Sequence, residues 1–170
     1  AMTSGLLLVA RSADAAAALG QALAARQVEK FYLALSDRSP RKKQGWVIGD
    51  MERSRRASWK LLPTRQDPAV TQFFSAAAGD GRRLFLLRPR TGRTHQLRVA
   101  LKSLGAPIWG DPLYHPQEPG REVPDRGYLH SYGIGFVLDG RLWRYVSAPE
   151  AGACWPVLPE AWKQPALLPW

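Results

Sequence analysis

The centre of this 170-residue chain is cut into short β-type segments with too little sequence between them for crossovers. Residues 58–62, 70–76 and 83–88 read as strands, punctuated by Pro63, by Asp67-Pro68 and by Gly79-Asp80-Gly81. Parallel neighbours need a crossover of roughly a dozen residues or more, so segments this close together pair antiparallel. A further pair, residues 128–138 and 142–147, flanks the turn Asp139-Gly140. Only two stretches have helical character. Residues 13–27 follow the N-cap Ser12 and carry Asp14 in the first turn and Arg26 in the last. A second helix is expected from the N-cap Thr94 to just before Gly105. These elements predict an α+β fold, a mixed and mainly antiparallel sheet with helices packed on it.

The outer segments extend this picture. The apolar run GLLLVAR, residues 5–11, reads as a buried strand. In KFYLALS, residues 30–36, period two puts Phe31, Leu33 and Leu35 on one face and Lys30, Tyr32 and Ala34 on the other. Residues 37–56 read as an exposed hairpin or loop. Pro112, Pro116, Pro119 and Pro124 mark a mobile loop, and a tail from Pro149 with Trp155, Trp162 and Trp170 reads as an irregular packed strap. Hydrophobic residues make up 45% of the chain, enough to build a core and to exclude global disorder. No apolar run approaches the roughly 20 residues of a membrane span. The absence of a secretory pattern and the solitary Cys154 lead to the expectation of a cytoplasmic protein without an internal disulfide.

Charge supplies the first functional clue. Lys and Arg number 24 against 14 Asp and Glu, and the whole excess of +10 lies in residues 41–98, which hold 14 basic and 4 acidic residues. Arginine dominates, which suits bidentate phosphate contact and favours a nucleic-acid partner. The runs Arg41-Lys42-Lys43 and Arg53-Ser54-Arg55-Arg56 are candidate phosphate contacts; the plainer reading is a solvated basic face.

The second helix carries the most chemistry. Leu97, Ala100, Leu101 and Leu104 share one side, while His95, Arg98 and Lys102 share the other. With Arg93 and the backbone of residues 92–94 ahead of it, the helix start is a candidate phosphate corner, as balanced against an ordinary amphipathic helix. Tyr32 could stack on a base or serve as a half-buried core aromatic. His95, His115 and His130 lack partners at metal-ligand spacing, and neither a GxxxxGK loop, a GxSxG elbow nor HExxH occurs. No metal is expected.

Four separated motifs resemble the RluA-type RNA pseudouridine synthases. They are TSGLLLVARS at 3–12, KFYLAL at 30–35, GRTHQLRVALKSLGAPIWGDPLY at 92–114 and YLHS at 128–131. Their order and spacing cover about residues 1–148, which the resemblance implies to be the catalytic domain, with residues 149–170 as an appended strap. It also implies an enzyme without cofactor or metal that isomerises uridine in ribosomal or transfer RNA, acting through an aspartate nucleophile. Tyr32 would pack against the flipped base and assist proton removal, Arg98 would pair with the nucleophilic aspartate, and Leu129 would line the uracil pocket. Lys30, Arg41, Lys42, Lys43, Arg93, His95, Gln96 and Lys102 are the expected RNA contacts. Base chemistry requires extrusion of the base from its stack, and an adjacent Arg keeps a carboxylate ionised.

The family pattern is RLD, two residues, then TSG, so its aspartate would stand immediately before Ala1. The expectation is therefore that these 170 residues alone are inactive. Asp111 and Asp14 are read as structural, not as substitutes. A monomer with RNA as its partner is expected, with a non-catalytic RNA-binding protein as the alternative. A metal-dependent nuclease ranks last because carboxylates do not cluster.

Overall fold

A computed structural model describes residues 2–170. Seven strands form the main sheet: β1 (Thr3–Gly5), β2 (Glu29–Ser36), β3 (Gln44–Gly49), β6 (Ala69–Ala77), β7 (Arg83–Pro89), β8 (Leu129–Leu138) and β9 (Arg141–Val146). Their order is β1-β8-β2-β7-β6-β3, with β9 also on β8, and every pairing is antiparallel except β1 with β8. A separate ribbon pairs β4 (Met51–Arg53) with β5 (Trp59–Leu61). With helices α1 (Ala13–Ala24) and α2 (Gln96–Ser103), this is the α+β class read from the sequence.

Both faces of the sheet are covered, which explains why β2 is apolar on alternate and intervening positions alike. Ala34, Phe73, Phe85 and Leu87 meet Leu97, Ala100 and Leu101 of α2 and its C-cap Leu104 on one face. Phe31, Leu33, Leu35, Leu84 and Leu86 meet Tyr128, Tyr132 and Trp162 on the other. Residues 149–170 run across this second face. Trp170 lies against Phe31 and Phe74, with ring centroids 5.6 and 4.9 Å apart, and the Tyr132 hydroxyl donates to the Trp162 carbonyl.

Several element boundaries differ from those read in the sequence. Residues 6–10 are not a buried strand: Leu7 is 85% and Val9 69% exposed. One edge of β8 takes β1 at residues 129–131 and β9 at residues 133–138, so β9 occupies the edge that a longer β1 would need. Gly5 marks the departure, with φ +100° and a Cβ position only 2.2 Å from the Ser131 carbonyl oxygen, a place only glycine can fill. α1 ends at Ala24, before residue 27, because a Schellman turn follows: Gln27 N–H donates to the Ala22 carbonyl and Arg26 N–H to that of Leu23. Residues 44–49, read as hairpin or loop, form β3 at the sheet edge, held by β6 despite the glycines at both of its ends.

Candidate active site

Three chain segments converge at the start of α2. β8 lies between β1 and β2, with Leu129 opposite Thr3 on one side and Ala34 on the other, and with Tyr32 opposite Ser131. A pocket of about 400 Å³ opens there, lined by Met2, Thr3, Lys30, Tyr32, Arg98 and Leu129, with Arg93, His95 and Gln96 also on its wall. The three residues to which the sequence assigns catalytic roles thus share one cavity.

Burial raises the pKa of the Tyr32 hydroxyl, partly offset by a hydrogen bond with Ser131, so the phenol stays protonated in neutral solution. Arg98 donates from Nε and Nη2 to Asp111 at 2.8 and 2.6 Å. Asp111 is fully buried and also accepts the amides of Leu113 and Tyr114. Burial opposes its charge, but the Arg98 hydrogen bonds and the two amides outweigh burial and hold its carboxyl below the ordinary range. The same hydrogen bonds raise the Arg98 pKa. Asp111 is therefore sealed into orienting Arg98, whose guanidinium lies 4.8 Å from the Tyr114 ring centroid.

The helix start differs from the expectation. The N-cap is His95, in the left-handed region at φ 58°, and not Thr94. The Tyr114 hydroxyl accepts the Trp59 amide and shares a hydrogen bond with His95 Nδ1, 2.9 Å away. Burial and the neighbouring Arg98 lower the His95 pKa. Gln96 also departs from its expected RNA contact, because it is only 5% exposed and its amide is fully engaged. Its Oε1 accepts the Thr91 hydroxyl and the Arg93 amide, while Nε2 donates to the Val70 carbonyl and Thr71 Oγ1. Gln96 pins the 91–96 loop to β6, and the Arg93 N–H is consequently not free for a phosphate.

Arg41, Lys42 and Lys43 are exposed and lie away from the pocket. The Arg41 amide binds the Leu104 carbonyl at the C-terminal end of α2, a helix length of about 12 Å from its start. Lys102 sits over the Tyr114 ring, 5.5 Å from its centroid. Sequence reasoning missed the orienting role of Asp111 and Tyr114, which needs the 110–114 turn folded back beside α2. It also missed the clamp between the first and last motifs: Ser4 Oγ donates to His130 Nδ1 at 2.9 Å while His130 Nε2 donates to the Ser147 carbonyl at 2.7 Å. Ser4 and His130 stand in two of the recognised motifs, which is the signal that could have paired them. Among the described residues no group of three or more His, Cys, Asp or Glu could hold a metal ion, and no helix is long and apolar enough to cross a membrane.

A family model described as RNA pseudouridylate synthase matches residues 1–103. An RNA pseudouridine synthase of Haemophilus influenzae is 44% identical over 154 residues, covering 91% of this chain and 67% of that protein. A ribosomal large subunit pseudouridine synthase C of Rickettsia bellii is 38% identical over 145 residues, covering 82% of this chain but 47% of its own length. The chain therefore spans about half to two thirds of these relatives. Among solved structures, human RNA pseudouridylate synthase domain containing 1 superposes with a TM-score of 0.74 at 27% identity, covering 93% of this chain and 73% of that one. From its four motifs, its sheet order and these matches, the chain belongs to the RluA-type RNA pseudouridine synthase family.

Proposed function

We propose that this chain binds a flipped uridine of ribosomal or transfer RNA and, with an aspartate directly preceding Ala1, isomerises it to pseudouridine. The observation that carries the reading is the single pocket in which Tyr32, Arg98 and Leu129 meet the beginning of β1. Met2 and Thr3, which an aspartate at that place would precede in sequence, line the same pocket as Arg98, whose guanidinium Asp111 holds. Arg98 would then stabilise the ionised carboxylate by charge and hydrogen bonding.

In this reaction the carboxylate attacks the target nucleotide and the bond between ribose carbon 1′ and uracil N1 breaks. The detached uracil rotates, a bond forms between carbon 1′ and carbon 5 as the nucleotide's bond to the carboxylate breaks and frees the aspartate, the carbon 5 proton leaves to solvent, and N1 gains a proton. Leu129 supplies an apolar wall that permits rotation, and Tyr32, a neutral phenol, packs on the base. Its hydroxyl can accept the carbon 5 proton only while passing on its own. Lys30 and Arg93 at the rim meet phosphates, Arg41, Lys42, Lys43 and Lys102 contact RNA farther along α2, and His95 and Gln96 position the loop. The chain acts as a cytoplasmic monomer without metal or cofactor.

Tyr32→Phe keeps the ring and removes the hydroxyl. In a chain extended to carry the aspartate, it should leave KM for RNA within about twofold and lower kcat by a factor of 10² or more, in the range of a lost acid–base group. Equal losses in both parameters would refute a role in proton transfer.

A further inference from the structure

A second opening, about 460 Å³, is continuous with the uridine pocket, sharing Lys30, Pro89, Thr91, Gly92 and Arg93 with it. It lies between the end of α1 and strands β2 and β7, and five cations line it: Arg26, Lys30, Arg88, Arg90 and Arg93. Glu29 is the one carboxylate among its lining residues, and it is already occupied by Arg88 at 2.6 Å and Arg144 at 3.5 Å. Arg93 is paired with Asp67. None of the ion pairs among the described residues involves Arg26, Lys30 or Arg90.

The cluster is built at a cost to folding. Arg90 reaches Gln72 with Nη2, but its Nε is buried without a partner. Burial works against the charges of Lys30 and Arg88, and the neighbouring Arg90 adds like-charge repulsion on Arg88. Arg26 occupies the left-handed position of the Schellman turn at φ 59°, where glycine would sit without strain. An anion in the cleft would offset the like-charge repulsion among these groups. No aromatic side chain lines the cleft to stack on a base, so its ligand is the sugar–phosphate chain and not a nucleobase.

We propose that this cleft is a phosphate-binding subsite that seats the RNA backbone flanking the uridine, drawing the strand past Lys30 toward the turn after α1. The inference rests on the uridine pocket described above and adds the path by which the strand leaves it. It gives Arg26, Arg88 and Arg90 a role in substrate binding that no motif assigned.

The test uses the 170-residue chain and a fluorescently labelled short oligouridylate titrated across a potassium chloride series. Arg26→Gly combined with Arg90→Gln should weaken binding several-fold and flatten the slope of log affinity against log salt by roughly 1.4, about 0.7 per phosphate contact on a single strand. Arg26→Gly alone should hold or raise Tm, which separates lost binding from lost folding. The charge-matched pair Arg141→Gln and Lys163→Gln, outside the cleft, should leave the slope unchanged. A slope unchanged in Arg26→Gly/Arg90→Gln while Tyr32→Ala weakens binding would overturn the cleft alone. Equal flattening by the control pair would overturn it too, by showing a diffuse field and no built subsite. Binding that Tyr32→Ala does not weaken would overturn the uridine pocket and, with it, the flanking role of the cleft.

Discussion

Replacing Arg98 by Met removes the only cation bonded to Asp111 among the described residues and leaves a carboxylate with no solvent exposure. The two charge-assisted hydrogen bonds, 2.8 and 2.6 Å, disappear, while the amides of Leu113 and Tyr114 remain. Breaking one side of a buried ion pair costs about 3–5 kcal/mol. In a protein of this size that lowers Tm by roughly 6–20 °C. Asp111→Asn should cost less, near 3 kcal/mol or below. The stranded guanidinium still has the Tyr114 ring and partial access to water, and the new amide oxygen can keep the two backbone donors. The two variants should also differ with pH. Without Arg98 the Asp111 pKa rises on folding, so the Arg98→Met deficit should shrink in mild acid as the carboxyl takes up a proton; the Asp111→Asn deficit has no such relief. Urea unfolding followed by tryptophan fluorescence at pH 7 and pH 5 measures both. A loss below about 1 kcal/mol for Arg98→Met, or an order reversed between the variants at pH 7, would refute the account of a sealed orienting pair. The same reasoning makes Arg98→Ala a poor probe of catalysis, because it unsettles the fold together with the site.

Three further outcomes follow. Burial lowers the His130 pKa, a shift opposed by the Ser147 hydrogen bond and reinforced by Arg126. Stability should therefore be complete above the unfolded value near 6.5 and fall as pH drops below it, by at most about 1.4 kcal/mol per pH unit; His130→Gln should flatten this slope between pH 6.5 and 5 in urea titrations. Gly5→Ala forces a Cβ onto the Ser131 carbonyl at a positive φ, and should detach β1 from β8, seen as faster amide exchange at Leu6, whose N–H donates to Ser131. Replacing Arg41, Lys42 and Lys43 together by Ala should flatten the salt dependence of RNA binding without changing Tm by more than a degree or two, since all three are exposed. An unchanged slope would remove them from the RNA path.

Much of this architecture was legible because local pattern and tertiary pairing agree. Alternation in residues 30–36 placed Lys30 and Tyr32 together, and helical spacing placed Leu97, Ala100, Leu101 and Leu104 against the sheet. Residues 6–10 misled because their composition suits a strand while their partner edge is taken by β9, a fact about strands more than a hundred residues away. Thr94 is a good N-cap by residue type, yet the 91–96 loop is set by the Gln96 amide, whose four partners lie on β6 and in the loop itself. The family resemblance made Gln96 an expected RNA contact; only burial shows that it holds the loop. Arg26 read as an ordinary last-turn cation, and its left-handed backbone and neighbours across β7 become visible only in three dimensions.

Tritium release from RNA labelled at carbon 5 of uridine reads the proposed isomerisation itself. Bulk ribosomal and transfer RNA would be incubated with a chain extended so that an aspartate precedes Ala1, and with the same extension carrying asparagine there. Release by the aspartate chain alone is the predicted result. RNA bound equally by both chains with release by neither, from a pool holding unmodified target, would contradict the synthase reading and leave an RNA-binding protein in its place.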